Sequence, residues 1–310
     1  MGAPRRLIAV TARQWTYTRG VNRSILALVF ASVFALLCGW TAHTQNPPPP
    51  RPVAIQLLHD GLYLISGPGG NVAAYITGEG VVLVDDMYER NADDILAKVK
   101  AITDKPVRYV LNTHQHEDHA GGNTKMPPVA EIIAHANVRA NLLRLGKPWL
   151  PRVTFSQETQ LFLGGKEVRA SHYGRAHTGG DAVIYFPEAR TVHTGDVFLS
   201  GPVIPRGPGG ANIFVDYAEG GSIVEWTHVL DEILKLDFDT VIPGHGPVAT
   251  RAELVKFKGD FEGMRNRVSG LLRQNKGKAE VSAALVGEYG WPAGGLAIAQ
   301  ADALIAELRR

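Results

Sequence analysis

Residues 113–122 read Thr-His-Gln-His-Glu-Asp-His-Ala-Gly-Gly, placing three histidines and an aspartate within six residues, directly after the apolar run Val107–Leu111. If the chain stays extended, His114 and His116 project to one side at a period of two. Asp118 and His119 follow where the chain must turn, so they approach the same cavity from a second direction. Imidazole and carboxylate ligands suit zinc, and also iron or manganese. Further candidates recur at strand ends: His177 in Ala-His-Thr-Gly-Gly-Asp, Asp196 in His-Thr-Gly-Asp-Val-Phe, and His245 in Pro-Gly-His-Gly-Pro. Their glycines allow tight turns and close backbone approach. This recurrence favours a metal centre over a polar surface loop that happens to be rich in histidine.

Outward from that stretch the pattern is of strands in two batches, each followed by helices. Short aliphatic runs separated by glycine turns predict a meander from about 54 to 84, including Val81-Val-Leu-Val-Asp-Asp86. A helix is predicted over Asn91–Ile102, with Ile95, Leu96, Val99 and Ile102 on one face. Val107–Leu111 and Val129–Ala134 read as strands and His135–Leu145 as a helix. Strands are predicted at Lys166–His172, Ala182–Phe186, Thr191–Thr194 and Thr240–Ile242, with a helix over Gly221–Leu236. Leu199–Gly210 reads as a surface loop, and the tail as helical with breaks at Asn275–Lys278 and Gly287–Gly295. Two sheets covered on their outer faces follow from this order.

The His-x-His-x-Asp-His string with its three later ligands resembles the metallo-β-lactamase-fold hydrolases over roughly residues 55 to 250. The resemblance implies an α/β, four-layer αββα sandwich with its metal centre at one sheet edge. It implies that His114, His116 and His177 hold one metal. Asp118, His119 and His245 hold the second, and Asp196 bridges both, as in the glyoxalase II-like and cyclase-like branches. Spacing alone leaves open which ligand serves which metal. Two zinc ions are the expected cofactors, with iron or manganese as alternatives. His193 reads as structural or supporting, and His135 and His172 as non-ligands. Asp181 is a candidate for orienting a neighbouring group, since ligating imidazoles usually donate their second N–H to an oxygen.

Composition bounds the rest. The 310 residues, 45% hydrophobic, suffice for one substantial core and exclude a disordered chain. Residues 1–45 carry five arginines and no acid, so the remainder is slightly acidic and charge does not suggest a nucleic-acid surface. Cys38 is the single cysteine, which excludes an internal disulfide and a multi-cysteine metal site. The apolar run Ile25–Gly39 follows Arg19 and Arg23 and is short for a membrane span, the pattern of a secretory signal. An uncleaved anchor giving a membrane tether is the alternative.

The domain reading is a signal or anchor over 1–44, a proline-rich linker over 45–52, the metallo-β-lactamase-like domain over 53–250, and C-terminal helices over 251–310. Those helices pack on the domain or form a dimer contact, and the oligomeric state is left open. Periplasmic or secreted location is the expectation.

The implied activity is hydrolysis of an ester, lactone, thioester or amide in a small molecule by a water activated between two metals. Asp118 is the candidate catalytic residue, accepting a hydrogen bond from the nucleophile and carrying a proton toward the leaving group. The runner-up is a histidine-rich, subclass B3-like β-lactamase, because the cysteine-ligand class is excluded by the position of Cys38. That class usually has His-Thr-Pro-Gly where His177-Thr-Gly-Gly stands here. A non-catalytic periplasmic accessory or binding protein is the reading from a different class. The expected pocket walls are the Leu145–Gln157 loop with Trp149 and the Gly201–Tyr217 loop with Tyr217; either aromatic has packing as its alternative role.

Overall fold

The computed structural model describes residues 52–201, 213–291 and 296–309. The signal expectation, residues 45–51 of the linker, residues 202–210 of the Leu199–Gly210 loop and residues 202–212 of the Gly201–Tyr217 wall lie outside the described residues. The first sheet runs in sequence order: β1 (Ala54–His59), β2 (Leu62–Ser66), β3 (Val72–Ile76), β4 (Val81–Val84), β5 (Val107–Leu111), β6 (Glu131–His135) and β7 (Val153–Phe155). Its first four strands form an antiparallel meander, and β4 to β7 pair in parallel. The parallel step from β4 to β5 requires a crossover, supplied by helix α1 (Ala92–Ile102).

The second sheet repeats the plan. β8 (Glu158–Leu163), β9 (Lys166–Ser171), β10 (Val183–Phe186) and β11 (Thr191–His193) form an antiparallel meander. Helix α4 (Ile223–Ile233) then crosses to β12 (Thr240–Ile242), parallel to β11, and β13 (Ala249–Thr250) closes the edge. Within the first half the single-turn α2 (Glu117–Ala120) lies between β5 and β6, and α3 (Ala136–Arg144) between β6 and β7. After β13 come α5 (Arg251–Arg273), α6 (Lys278–Tyr289) and α7 (Leu296–Leu308). Among the described residues no helix is long and apolar enough to cross a membrane.

Alternation along the strands builds three apolar layers. Ala73 and Tyr75 of β3 face the second sheet, where Val168, Ala170, Ile184 and Phe186 meet them. Val72 and Ala74 face the other way, onto Ile95 and Val99 of α1. On the far side Val183, Tyr185 and Val192 pack against Trp226 and Leu230 of α4 and Phe257 and Phe261 of α5. The result is the four-layer αββα sandwich. Because both faces of the inner strands β3, β4 and β10 are buried, these strands are apolar throughout, which is why they read from sequence as continuous runs.

The strand β8 was not among the sequence expectations. Its residues alternate exposed and half-buried at an open edge, so it carries little apolar signal. Residues 145–157, expected as a loop, contain β7. Trp149 is 8% exposed and packs with Ala120, Ala134, Val138 and Leu142, capping that cluster. Tyr217 likewise packs against the helical layer.

Candidate metal centre

The seven histidines and aspartates come together where strands end. β5 ends shortly before His114; the chain does not stay extended but bends over residues 113–115 and reaches His116, whose extended backbone makes it the N-cap of α2. That one turn carries Asp118 and His119, and the N–H of His119 bonds the His116 carbonyl at 3.0 Å. The β9–β10 connection supplies His177. The turn after β11 supplies Asp196, and the turn after β12 supplies His245. Parallel strands β11 and β12 place the last two side by side. Two glycines make room: a Cβ on Gly70 would lie 2.2 Å from His119 Cε1, and one on Gly244 would lie 1.9 Å from Asp196 Oδ1.

The side chains fall into two groups, His114, His116, His177 and Asp196 in one, Asp118, His119 and His245 in the other. In the first, His116 Nδ1 lies 3.1 Å from His114 Nε2 and 3.0 Å from His177 Nε2. In the second, His245 Nε2 lies 3.1 Å from both His119 Nε2 and Asp118 Oδ2. Asp196 divides its oxygens between them, Oδ1 at 3.2 Å from His119 Nε2 and Oδ2 at 3.6 Å from His177 Nε2.

Outer partners fix which nitrogens face inward. The His177 Nδ1–H donates to the Phe214 carbonyl at 2.7 Å, and the His116 Nε2–H to Asp216 Oδ2 at 3.1 Å. His119 Nδ1–H donates to Asp85 Oδ2 at 2.7 Å. The Thr113 hydroxyl donates to Asp85 Oδ2 at 2.8 Å and so accepts from His114 Nδ1, 3.0 Å away. With its outer nitrogen so engaged, each of these histidines can turn an acceptor lone pair toward the others and Asp196, an arrangement suited to a cation at its centre.

The electrostatics agree. Burial lowers the pKa of His114 and brings that of His177 down to about 4, leaving both neutral. Burial opposes charge on His119 too, yet Asp196 and Asp85 outweigh it and hold its pKa well above the usual value. Burial would raise Asp196, but His119 and His245 hold it well below. Without metal, a proton on His119 supplies the positive charge that a divalent cation supplies when bound. The donor set fits such ions.

The supporting residues Asp85, Asp216, Phe214 and Thr113 were not singled out from sequence. Two adjacent acids closing the apolar run 81–86 were a signal for Asp85; Asp216 sits in an irregular stretch without one. Asp181 does not reach a ligand imidazole: it accepts from the Thr178 N–H at 2.9 Å and from its hydroxyl at 2.6 Å, holding the turn after His177. Burial raises its pKa to about 7. His193 is buried, bonds the Asn71 carbonyl at 3.0 Å, and accepts from the Gly195 N–H at 3.1 Å, bracing the turn before Asp196. His135 and His172 stack 3.9 Å apart and bond the carbonyls of Ser156 and Asp181.

A profile of the metallo-beta-lactamase superfamily matches residues 66–245. The 2,4-dinitroanisole O-demethylase subunit alpha of Nocardioides sp. (strain JS1661) is 30% identical over 162 residues, covering 51% of this chain and 45% of that protein. The chain thus spans under half of that relative's length. Metallo-beta-lactamase IND-1 of Chryseobacterium indologenes is 24% identical over 191 residues, covering 55% of this chain and 69% of that one. Among solved structures, a metallo-beta-lactamase from Pontibacter korlensis superposes with a TM-score of 0.58 at 18% identity, covering 68% of this chain and 99% of that one. The DIM-1 metallo-beta-lactamase also gives 0.58 at 18% identity, covering 69% and 99%.

Proposed function

The chain belongs to the metallo-beta-lactamase superfamily, and from that premise we propose that it is an exported, dinuclear metal-dependent hydrolase of ester, lactone, thioester or amide bonds in small molecules. The observation that carries this reading is Asp196, whose two oxygens face two separate histidine groups. His114, His116 and His177 would hold one ion, Asp118, His119 and His245 the other, with Asp196 between; zinc suits the donors, and iron or manganese are alternatives. Bound cations supply Lewis acidity and lower the pKa of a water held between them.

The chain's own part falls to Asp118. Its side chain is 25% exposed against 11% for Asp196, so it is the carboxylate that reacting groups reach. Burial would raise its pKa, but His245 and His119 bring it down to about 2, so it is an acceptor at neutral pH. Its free oxygen orients an attacking water by accepting a hydrogen bond, then passes the proton toward the leaving group. Export rests on the Ile25–Gly39 run behind Arg19 and Arg23, with a retained membrane tether as the alternative.

The test is steady-state hydrolysis of a panel of esters, thioesters, lactones, β-lactams and an aryl methyl ether by zinc-loaded protein and its Asp118→Ala variant. Turnover on an acyl substrate, lost by orders of magnitude in the variant, supports the proposal. Near parental rates in a variant with full metal content would sink the role of Asp118. The similarity to IND-1 favours β-lactam hydrolysis as the second reading, and the O-demethylase relative is the reason for the ether. Metal-loaded protein inert over the whole panel would turn the reading toward an accessory or binding protein.

A further inference from the structure

Residues Phe214 to Ser222 touch the His114/His116/His177 group at two of its three imidazoles, through the Phe214 carbonyl on His177 and the Asp216 carboxylate on His116. The stretch is laced to the turn around His177. The Asp216 N–H bonds the His177 carbonyl at 2.8 Å, the Ser222 N–H bonds the Ala176 carbonyl at 2.9 Å, and the Gly179 N–H bonds the Glu219 carbonyl at 2.9 Å. At its far end Ser222 becomes the N-cap of α4, its hydroxyl accepting from the Glu225 N–H at 3.1 Å.

A residue from the last turn of α7 closes this end. Glu307 accepts from the Ser222 hydroxyl and, at 2.9 Å, from the Ile223 N–H. The first N–H groups of a helix have no partner within it, and their partial positive charge favours a carboxylate. The contact is anchored by packing: Ala301, Leu304 and Ile305 of α7 share one apolar cluster with Ile223, Trp226 and the ring of Tyr217. Burial, and then the neighbouring Glu307 carboxylate, push the Tyr217 phenol up.

The geometry points to Glu307 as a positioning residue for the His114/His116/His177 metal group. By clamping the start of α4 it holds residues 214–222 in the register at which Phe214 and Asp216 set the proton positions of His177 and His116. The C-terminal helix is thereby part of the metal centre without touching it. The inference rests on reading the cluster as a metal site, but it does not depend on any substrate.

The experiment is zinc competition against a chromophoric chelator, with the full chain, Glu307→Ala, Glu307→Gln and, as a control, Val268→Ala. The control opens a cavity at a fully buried position of α5 in the same helical layer. Glu307→Ala is expected to weaken one binding step about 10- to 100-fold, the range for loss of outer support to a ligand, and to leave the other within about twofold. Glu307→Gln, which keeps one acceptor oxygen, recovers part of the loss, and it carries the test if the alanine variant does not fold. In a His245→Ala background, where the other group is crippled, the same weakening is read directly. Val268→Ala lowers Tm and leaves both steps unchanged. Parental affinities in both Glu307 variants overturn the inference, as does an equal weakening of both steps shared with Val268→Ala. A parent chain that takes up no metal overturns the metal-site reading as well.

Discussion

Two adjacent aspartates, Asp85 and Asp86, are both completely buried, yet replacement by asparagine is expected to impair metal binding at the first and spare it at the second. Asp85 accepts three hydrogen bonds, from the Thr113 N–H at 2.7 Å, the Thr113 hydroxyl at 2.8 Å and His119 Nδ1 at 2.7 Å. A backbone N–H cannot reverse its role, so in Asp85→Asn the amide oxygen must take the Oδ1 place facing the Thr113 N–H, and the NH2 the Oδ2 place facing the Thr113 hydroxyl and His119. His119 Nδ1 then has to accept, which moves the imidazole proton to Nε2, where a cation would sit.

Loss of such outer support costs about 10- to 100-fold in metal affinity, or about 1.4 to 2.8 kcal/mol. The Asp86 carboxylate accepts from the Gly122 N–H at 2.9 Å, and its other oxygen has no partner among the described residues. Burial and then Asp85 hold its pKa well above the usual range, so its site disfavours charge, and neutral asparagine of the same shape is close to a like-for-like exchange. Asp86→Asn should bind metal as the parent does, with a stability change of about 1 kcal/mol. The assay is zinc competition titration on both folded variants, alongside thermal unfolding. Parental affinity in Asp85→Asn, or equal losses in the two variants, would refute the tautomer argument.

Further outcomes follow from the same geometry. Gly70→Ala and Gly244→Ala put a methyl within 2.2 Å of His119 and 1.9 Å of Asp196; folded protein from either should lose metal, and parental content by elemental analysis would contradict the close approach. Burial, and then His172, lower the pKa of His135 to about 4. As pH falls from about 6.5 to 4 the unfolded chain gains a proton that the fold refuses, so stability present above that window is lost within it, by about 2 kcal/mol after allowing for solvent screening. His135→Asn keeps an N-cap for α3 and should flatten that acid limb in denaturant titrations of the metal-free protein; an equally steep fall would disprove the assignment. Stripping metal with a chelator should lower Tm on the order of 10 °C, about 4 kcal/mol for a ligand at a thousand times its dissociation constant. A Tm that ignores the chelator would count against a metal held by the native fold alone.

Much of the sandwich was written in local pattern. The glycine turns over 54–84, the stripe Ile95-Val99 and the run Val107–Leu111 each state a buried face, because a residue's neighbours at period two or 3.6 are set by the backbone alone. The structure shifts the expected ends by one to three residues, as at His135, which ends β6 and caps α3 instead of belonging to it. That the histidine string and its three later partners are one set of candidates was legible because metal ligands are drawn from a few residue types, and glycine marks where they turn; the structure gathers them into one cluster. What the string could not state is partnership between distant residues. That Asp196 offers one oxygen to each group depends on β11 lying parallel to β12. That Asp85 and Asp216 orient imidazoles 34 and 100 residues away depends on how the sheets and the 214–222 stretch meet. That Glu307 caps a helix 84 residues earlier depends on where α7 packs. Residue type and period fix local structure; hydrogen bonds across the fold are fixed only when packing brings their ends within 3 Å, and no local pattern records that distance.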